Sequence, residues 1–310
     1  MIPYSYNITF FRICIIITLI LCLLLLSYDG SSLSHYESQS LPSQLETLFE
    51  TLFFSQICSI IPTMKLQKLY SKVRQALDDY NMITENDKIA IGVSGGKDSL
   101  TLLYALSGIR RFYPVPFELV AIAVDLGYED FDLDPVKALC DELSVEFYVV
   151  KTDIGRISLE KSKNQASPCS WCAKLRKGAL NDFALSVGCN KIAYAHHMDD
   201  IIETMFLSLL YEGQFYSFAP VTQLDGSGLT IIRPLMYVGE SDVKGFKNKY
   251  NLPVCKNPCP YDGHTRREYV KQLVRQLNLE NPGVKKRLFS AIQNGNIDDW
   301  VKCTKPSENL

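Results

Sequence analysis

Three short stretches of this 310-residue chain hold residue types that could do chemistry. The first is Ser94-Gly95-Gly96-Lys97-Asp98-Ser99. It follows a run of β-formers and small residues (Ile89, Ala90, Ile91, Gly92, Val93) and precedes apolar residues at helical spacing (Leu100, Leu102, Leu103, Leu106). A glycine turn between a strand and a helix N-terminus offers backbone N–H groups and the positive end of a helix dipole to an anion. Gly95 and Gly96 are expected to supply the positive φ and the close approach that a Cβ would block. Lys97 adds a point charge, and Ser94 and Ser99 add hydroxyls. A carboxylate beside a phosphate site needs a cation between them, so Asp98 points to Mg2+. A Walker A loop requires a longer spacing between its glycines, so the stretch is not one.

The second stretch is Cys169-Ser170-Trp171-Cys172, followed by Lys174, Arg176 and Lys177. C-x-x-C spacing lets two thiolates face one metal, and a helix starting just after it, with three cations, is expected to lower their pKa. Two thiolates leave a site incomplete, and Cys255 or Cys259 is the candidate third ligand. Three ligands suit an iron–sulfur cluster with one iron unligated, and four would close a zinc site. A redox dithiol or two unrelated thiols are the other readings of the spacing. The third stretch is His196-His197-Met198-Asp199-Asp200, which opens an apolar helix containing Glu203. Acidic residues there cap a helix. The paired histidines, which capping does not require, favour a role for Asp200 with Asp98 in holding Mg2+ on ATP phosphates.

These stretches need a frame. Strand-like runs (88–93, 117–124, 146–150, 191–195, 229–232) alternate with helical ones (99–111, 135–143, 174–187, 200–211), and helices alone follow Arg233 (about 239–250, 265–279 and 283–293). Apolar strands alternating with helices make an α/β fold, a doubly wound parallel sheet. Ligands then sit beyond the carboxyl ends of the strands. The glycine loop, Asp125 at the end of its strand, the C-x-x-C and His196-His197 all follow strands or lie in their connections, so one site could collect them.

Composition narrows the class. An apolar fraction of 47% with 21% charged residues makes a globular chain. Ten cysteines in a chain of this length are not a small disulfide scaffold. The net charge of −2 gives no global sign of nucleic-acid binding. However, Lys244–Arg287 holds eleven Lys/Arg against three Asp/Glu, a candidate polyanion surface.

Residues 1–63 do not match the rest. Ile13–Leu26 is apolar except for Thr18 and shorter than the roughly 20 residues of a spanning helix. Met64 then opens an amphipathic helix with Leu66, Leu69, Tyr70, Val73 and Leu77 at helical spacing. The expectation is that the native chain starts at Met64 and that 1–63 is upstream sequence, with a membrane anchor as the alternative. The expected organisation is 1–63 as an apolar extension, 64–235 as a nucleotide-binding domain with its N-terminal helix and C-x-x-C, and 236–303 as a basic helical region.

SGGKDS resembles the pyrophosphate loop of the PP-loop ATPases, the adenine nucleotide alpha hydrolase-like fold that cleaves ATP to AMP and pyrophosphate. With C-S-W-C-A-K-L-R-K-G, A-H-H-M-D-D-I-I-E-T, I-R-P-L, N-P-C-P and R-R-E-Y-V-K in order, the chain from Met64 to Trp300 resembles the tRNA 2-thiocytidine synthetase family. The resemblance implies ATP-dependent thiolation of an anticodon-loop cytidine (position 32), with ATP, Mg2+ and a [4Fe–4S] cluster as cofactors. It implies that Ser94, Gly95, Gly96, Lys97, Asp98, Ser99 and Asp125 bind ATP, that Asp98 and Asp200 hold Mg2+, and that Lys97, Asp98, Cys169 and Cys172 are catalytic. Cys169 and Cys172 match the cluster ligands. Aligned on Arg267-x-x-Val270-Lys271, Cys259 takes the third position and Cys255 falls one residue off. The P-C-P-Y-D-G stretch departs from the proteobacterial version. Implied partners are tRNA, handled by 236–303, and a sulfur donor of the cysteine desulfurase type. A homodimer is allowed, the compartment is cytoplasmic, and membrane contact would come only through 1–63. Thiolation of a tRNA uridine uses the same parts. A lysidine synthetase-like ligase shares the loop but not the C-x-x-C. A metal–nucleic-acid binding protein would leave the loop unexplained.

Overall fold

The strands alternate their large side chains between two cores, and that alternation sets the layers. A computed structural model describes residues 65–128, 131–162, 168–256, 259, 266–295 and 300. Residues 1–63 and the Met64 boundary lie outside them. The elements are α1 (Leu66–Asp79), β1 (Asp87–Gly92), α2 (Lys97–Ile109), β2 (Phe117–Asp125), α3 (Asp134–Glu142), β3 (Glu146–Lys151), α4 (Ile154–Ser162), α5 (Pro168–Ser186), β4 (Lys191–Ala193), α6 (Met198–Tyr211), β5 (Val221–Gln223), β6 (Thr230–Ile232), α7 (Glu240–Lys249), α8 (Arg266–Glu280) and α9 (Val284–Asn294).

Among the described residues one six-stranded sheet runs β3-β2-β1-β4-β6-β5. All its pairs are parallel except β5 with β6. Ile89, Ile91, Leu119 and Ala121 face a core shared with Leu69 and Val73 of α1, Leu102 and Leu106 of α2, and Ile201 and Ile202 of α6. Ala90, Val120, Ile122 and Val124 face the other side, against Ile154 of α4 and Leu180 and Ala184 of α5. The doubly wound expectation therefore holds, with an antiparallel edge added. The order grows outward from β1 to β3 and then restarts at β4 beside β1, so the topological switch lies between β1 and β4. Ligands bind at such a crevice.

The C-terminal helices share the larger core through Val243 and Phe246 of α7, Val270 and Val274 of α8, and Phe289 and Ile292 of α9. Phe246 is fully buried between Tyr104 of α2, at 5.4 Å, and Tyr250, at 4.4 Å. Both α8 and α9 pack on α6, whose N-terminus faces the switch crevice. Among the described residues no helix is long and apolar enough to cross a membrane.

Candidate active site

The loop after β1 is built by its own hydroxyls. Ser99 Oγ accepts from Ser94 N at 3.1 Å, donates to Gly96 O at 3.0 Å and lies 3.2 Å from Ser94 Oγ. α2 starts at Lys97, so the first-turn amides of Lys97, Asp98 and Ser99 have no intrahelical acceptor and face outward. Of the two glycines only Gly95 takes a positive φ, +74°. Gly96 is extended at φ −80°, which corrects the expectation that both would be left-handed. Gly95 is further constrained by Cys255. The Cys255 amide donates to Gly95 O at 2.9 Å, and a Cβ on Gly95 would lie 3.0 Å from Cys255 Cβ. Cys255 therefore buttresses the phosphate loop, and burial pushes its thiol pKa up.

Lys97 Nζ contacts Asp98 Oδ2 at 2.9 Å and Glu240 Oε1 at 3.5 Å. Burial raises the Glu240 pKa, but hydrogen bonds from Lys271 (2.8 Å) and Lys244 (3.1 Å) outweigh it and bring the group down to about 2. The other Asp98 oxygen, Oδ1, is buried without a hydrogen-bond partner and lies 3.6 Å from His197 Nε2. On the opposite side of that imidazole, Nδ1 accepts from Asp200 N at 3.2 Å, and Asp200 Oδ2 accepts from His197 N at 3.0 Å. This is a capping box with histidine as the cap, so α6 begins at Met198, two residues earlier than the spacing suggested. His197 thus bridges Asp98 and Asp200. An orphaned carboxylate oxygen beside a phosphate loop fits a divalent cation.

The rest of the acidic cluster points elsewhere. Asp199 Oδ1 meets Lys285 at 2.5 Å and its Oδ2 accepts from Glu240 N at 2.7 Å. Glu203 lies 3.5 Å from Arg267, which also reaches Asp200 at 3.9 Å. Burial and the nearby Asp200 charge push Glu203 up to about 7, against the pull of Arg267. Arg267 of α8 falls in the R-R-E-Y-V-K stretch, whereas Lys285 of α9 belongs to no motif, so nothing in the sequence marks Lys285 as part of the site.

Asp125 closes β2 and accepts from Gly127 N at 2.9 Å through Oδ1. With Ser94, Leu126, Tyr128, Phe131 and Arg176 it lines an open cleft. Cys169 and Cys172 lie in the first turn of α5. The expectation of a helix starting just after them is corrected. The expected lowering of their pKa is corrected for Cys172: burial raises it, and Arg176 pulls it down only in part. Burial, joined by a hydrogen bond with Cys259, pushes the Tyr128 phenol up to about 12, with Cys172 and Cys169 also within electrostatic reach. Cys259 therefore touches the phenol that lines the cleft, with Cys172 and Cys169 farther off. Gly155 of α4 makes room for it, since a Cβ there would come within 2.8 Å of the Tyr128 ring. Among the described residues no three His, Cys, Asp or Glu side chains are grouped closely enough for one ion.

Two further groups were not singled out as site residues from the sequence: Arg176, which lines the cleft, and Tyr194, just after β4. Arg176 has no ion-pair partner among the described residues, and burial lowers its pKa. The Tyr194 hydroxyl, just after β4, is buried and unpartnered. His196 stacks on Phe218 at 4.3 Å and its Nδ1 accepts from Arg233 Nε at 3.3 Å. Burial and Arg233 push its pKa down to about 3, so it is neutral with its proton on Nε2. The signal for Tyr194 was only its place after a strand.

A glycine loop at the carboxyl end of β1, opening onto a helix beside the switch to β4, defines the PP-loop class. A PP-loop domain family matches residues 64–277. A tRNA-cytidine(32) 2-sulfurtransferase of Geobacter sulfurreducens is 39% identical over 236 residues, 76% of this chain and 92% of the relative. Its counterpart in Geotalea uraniireducens is 40% identical over 238 residues, 76% of this chain and 94% of the relative. The solved U34-tRNA thiolase NcsA of Methanococcus maripaludis, which carries a [4Fe-4S] cluster, is 25% identical. Its TM-score is 0.63, over 75% of this chain and 79% of that one. The chain belongs to the PP-loop family that includes the tRNA-cytidine(32) 2-sulfurtransferases.

Proposed function

We propose that this chain is an ATP-dependent tRNA sulfurtransferase that replaces the C2 oxygen of the cytidine at position 32 with sulfur. The observation carrying this reading is a cleft that Ser94 of the glycine loop shares with Tyr128, the phenol that Cys259 contacts. The relatives named for this reaction match it over nine-tenths of their length. A uridine target is the second reading, favoured by the NcsA likeness; the higher identity to the cytidine enzymes decides against it.

The C2 oxygen of a pyrimidine is a poor leaving group. Transfer of the ATP adenylyl group to it releases pyrophosphate and makes AMP the group to be displaced. The protein's contribution is placement and charge. The first-turn amides of α2 and Lys97 bind the phosphates, with Gly95 holding the loop open and Ser94 and Ser99 fixing its shape. Asp98 and Asp200, on either side of His197, would hold Mg2+, and the unpartnered Asp98 Oδ1 fits that role. Asp125 and Arg176 face the same cleft, and Arg176 would meet the negative charge that collects between phosphate and thiols. Cys169, Cys172 and Cys259 would hold a [4Fe–4S] cluster, which when bound supplies sulfur chemistry beside the activated carbon. The Cys255 thiol donates to Pro253 O at 3.8 Å, whereas Cys259 contacts Tyr128 at the cleft, which supports Cys259 as the third ligand. A base splayed out of an RNA loop can enter such a cleft.

The division into 64–235 for ATP and 236–303 for tRNA backbone, a cysteine desulfurase as sulfur donor, a homodimer and a cytoplasmic setting belong to the same proposal. Mass spectrometry of nucleosides from tRNA of strains with and without the gene tests it. Loss of 2-thiocytidine alone is expected. Loss of a thiouridine instead would move the target base, and unchanged thionucleosides would sink the proposal.

A further inference from the structure

The loop after α6 leaves its aromatic side chains uncovered. Phe215 is 77% exposed and Tyr216 51%, beside Tyr211 at 44% on the last residue of α6. Arg266 of α8 lies over the Tyr211 ring at 4.8 Å, and Tyr269, one turn further along α8, is 59% exposed. Clustered exposed rings on a globular chain mark an interaction site. This loop is also tied down. Ser217 is buried and donates to Ile201 O at 2.7 Å. The next ring, Phe218, lies parallel to His196 at 4.3 Å, with the Arg233 guanidinium 5.2 Å from its centre. Arg233 is also within electrostatic reach of Tyr216. The same loop therefore carries exposed rings at Phe215 and Tyr216 and, at Phe218, the ring stacked on His196.

We propose that Phe215 and Tyr216, with Tyr211 and Arg266, form a stacking platform for unpaired RNA bases flanking the nucleotide that enters the cleft. The inference rests on the tRNA reading above. Aromatic faces edged by a guanidinium stack on bases of any identity, and this is how proteins hold unpaired loops. Charge agrees: Arg266 has no acid within ion-pair distance among the described residues, and Glu212 is the one acidic residue between Thr204 and Ala219. Pinning the loop at Ser217 and Phe218 leaves the outer rings with little conformational freedom to lose on stacking.

The test uses the full chain, a labelled hairpin RNA with an unpaired loop, and the same stem as a blunt duplex, titrated at one salt concentration. Phe215→Ala should weaken hairpin binding about tenfold, within the range for loss of one stacked base. It should leave duplex binding and MgATP affinity unchanged, and Phe215→Trp should retain hairpin affinity. Wild-type hairpin affinity in Phe215→Ala would overturn the platform alone. So would an equal loss on hairpin and duplex. A shift in sedimentation with RNA affinity intact would assign the patch to a second copy of the chain and overturn it as well. Failure of the wild-type chain to bind the hairpin would overturn the tRNA reading and the platform with it.

Discussion

Lys97 sits between two carboxylates, Asp98 and Glu240, and that placement fixes its position over the phosphate loop. Lys97→Ala removes the only side-chain cation of the loop, so AMP formation should fall by at least about 100-fold, the order reached when one preorganised charge is removed from an active site. Radiolabelled ATP turnover measures it, and retained turnover would remove Lys97 from the site. The cysteines divide in the same way. Cys169→Ala should lose bound iron and thiolation while keeping MgATP affinity. Cys255→Ser should keep iron, because the Cys255 contact with Gly95 is through its backbone amide. Iron retained in Cys259→Ala but lost in Cys255→Ser, measured per chain, would reverse the assignment. Glu203 gives a pH signature. Its folded pKa, about 7, lies above the ordinary 4.5 because of burial and Asp200. A raised carboxyl pKa contributes stability that is complete below pH 4.5 and is lost as pH rises through about 7. Glu203→Gln should therefore raise the melting temperature of chelator-treated protein above pH 7 and change it little at pH 4. An equal effect at both pH values would contradict the buried-carboxyl account.

At the scale of elements, the site is assembled by helix ends. α6 offers its N-terminus at the switch crevice, and α7 and α9 hold its acidic first turn through Glu240 N and Lys285. Lys285→Ala leaves a buried Asp199 carboxylate with only its backbone donor. The Lys285 side chain is partly solvated, so the cost is set at about 2 kcal/mol, below that of a fully buried pair. Burial opposes it, but Lys285 and the Glu240 amide hold the Asp199 pKa below 3.8. The stability the pair provides is thus present above that pH and lost below it, so the penalty of Lys285→Ala in urea denaturation should shrink as pH falls to about 3. The same elements show what the sequence made legible. β1, α2, β2 and the three C-terminal helices were readable because each is long and strongly periodic, or follows a glycine loop whose chemistry demands a strand and a helix. α4 was not, since Ile154–Ser162 has only nine residues and mixed polarity. β5 was not, since three residues carry no period and its pairing with β6 is a tertiary matter. The C-x-x-C was visible, but the part-burial of Cys172, which reverses the expected shift there, depends on α5 packing against the sheet. Likewise the histidine cap at His197 arises from Asp200 bonding back to it, which spacing alone does not distinguish from acidic capping.

Across the whole molecule, the basic Lys244–Arg287 region does two jobs that composition cannot separate. Lys244, Arg267, Lys271 and Lys285 face acids of α6 and α7 and so belong to the site's internal charge balance. Lys249, Arg275 and Lys286 are exposed and have no acid within ion-pair distance among the described residues, so they are the charges available to a phosphate backbone. Each phosphate neutralised by a side chain steepens the fall of log K with log salt by roughly 0.7–0.9. If these three residues each meet one phosphate, replacing all of them with Ala should make the slope for tRNA binding less negative by about 2, with the largest affinity loss at low salt. Removal of a stacking ring behaves differently, because no counterion is released when a base leaves an aromatic face. Phe215→Ala should therefore lower the whole line without tilting it, while the triple variant tilts it. Measuring both series on one tRNA separates the two surfaces. An unchanged slope in the triple variant would place the tRNA backbone elsewhere on the molecule, and a changed slope in Phe215→Ala would mean that its loop also orders phosphate contacts.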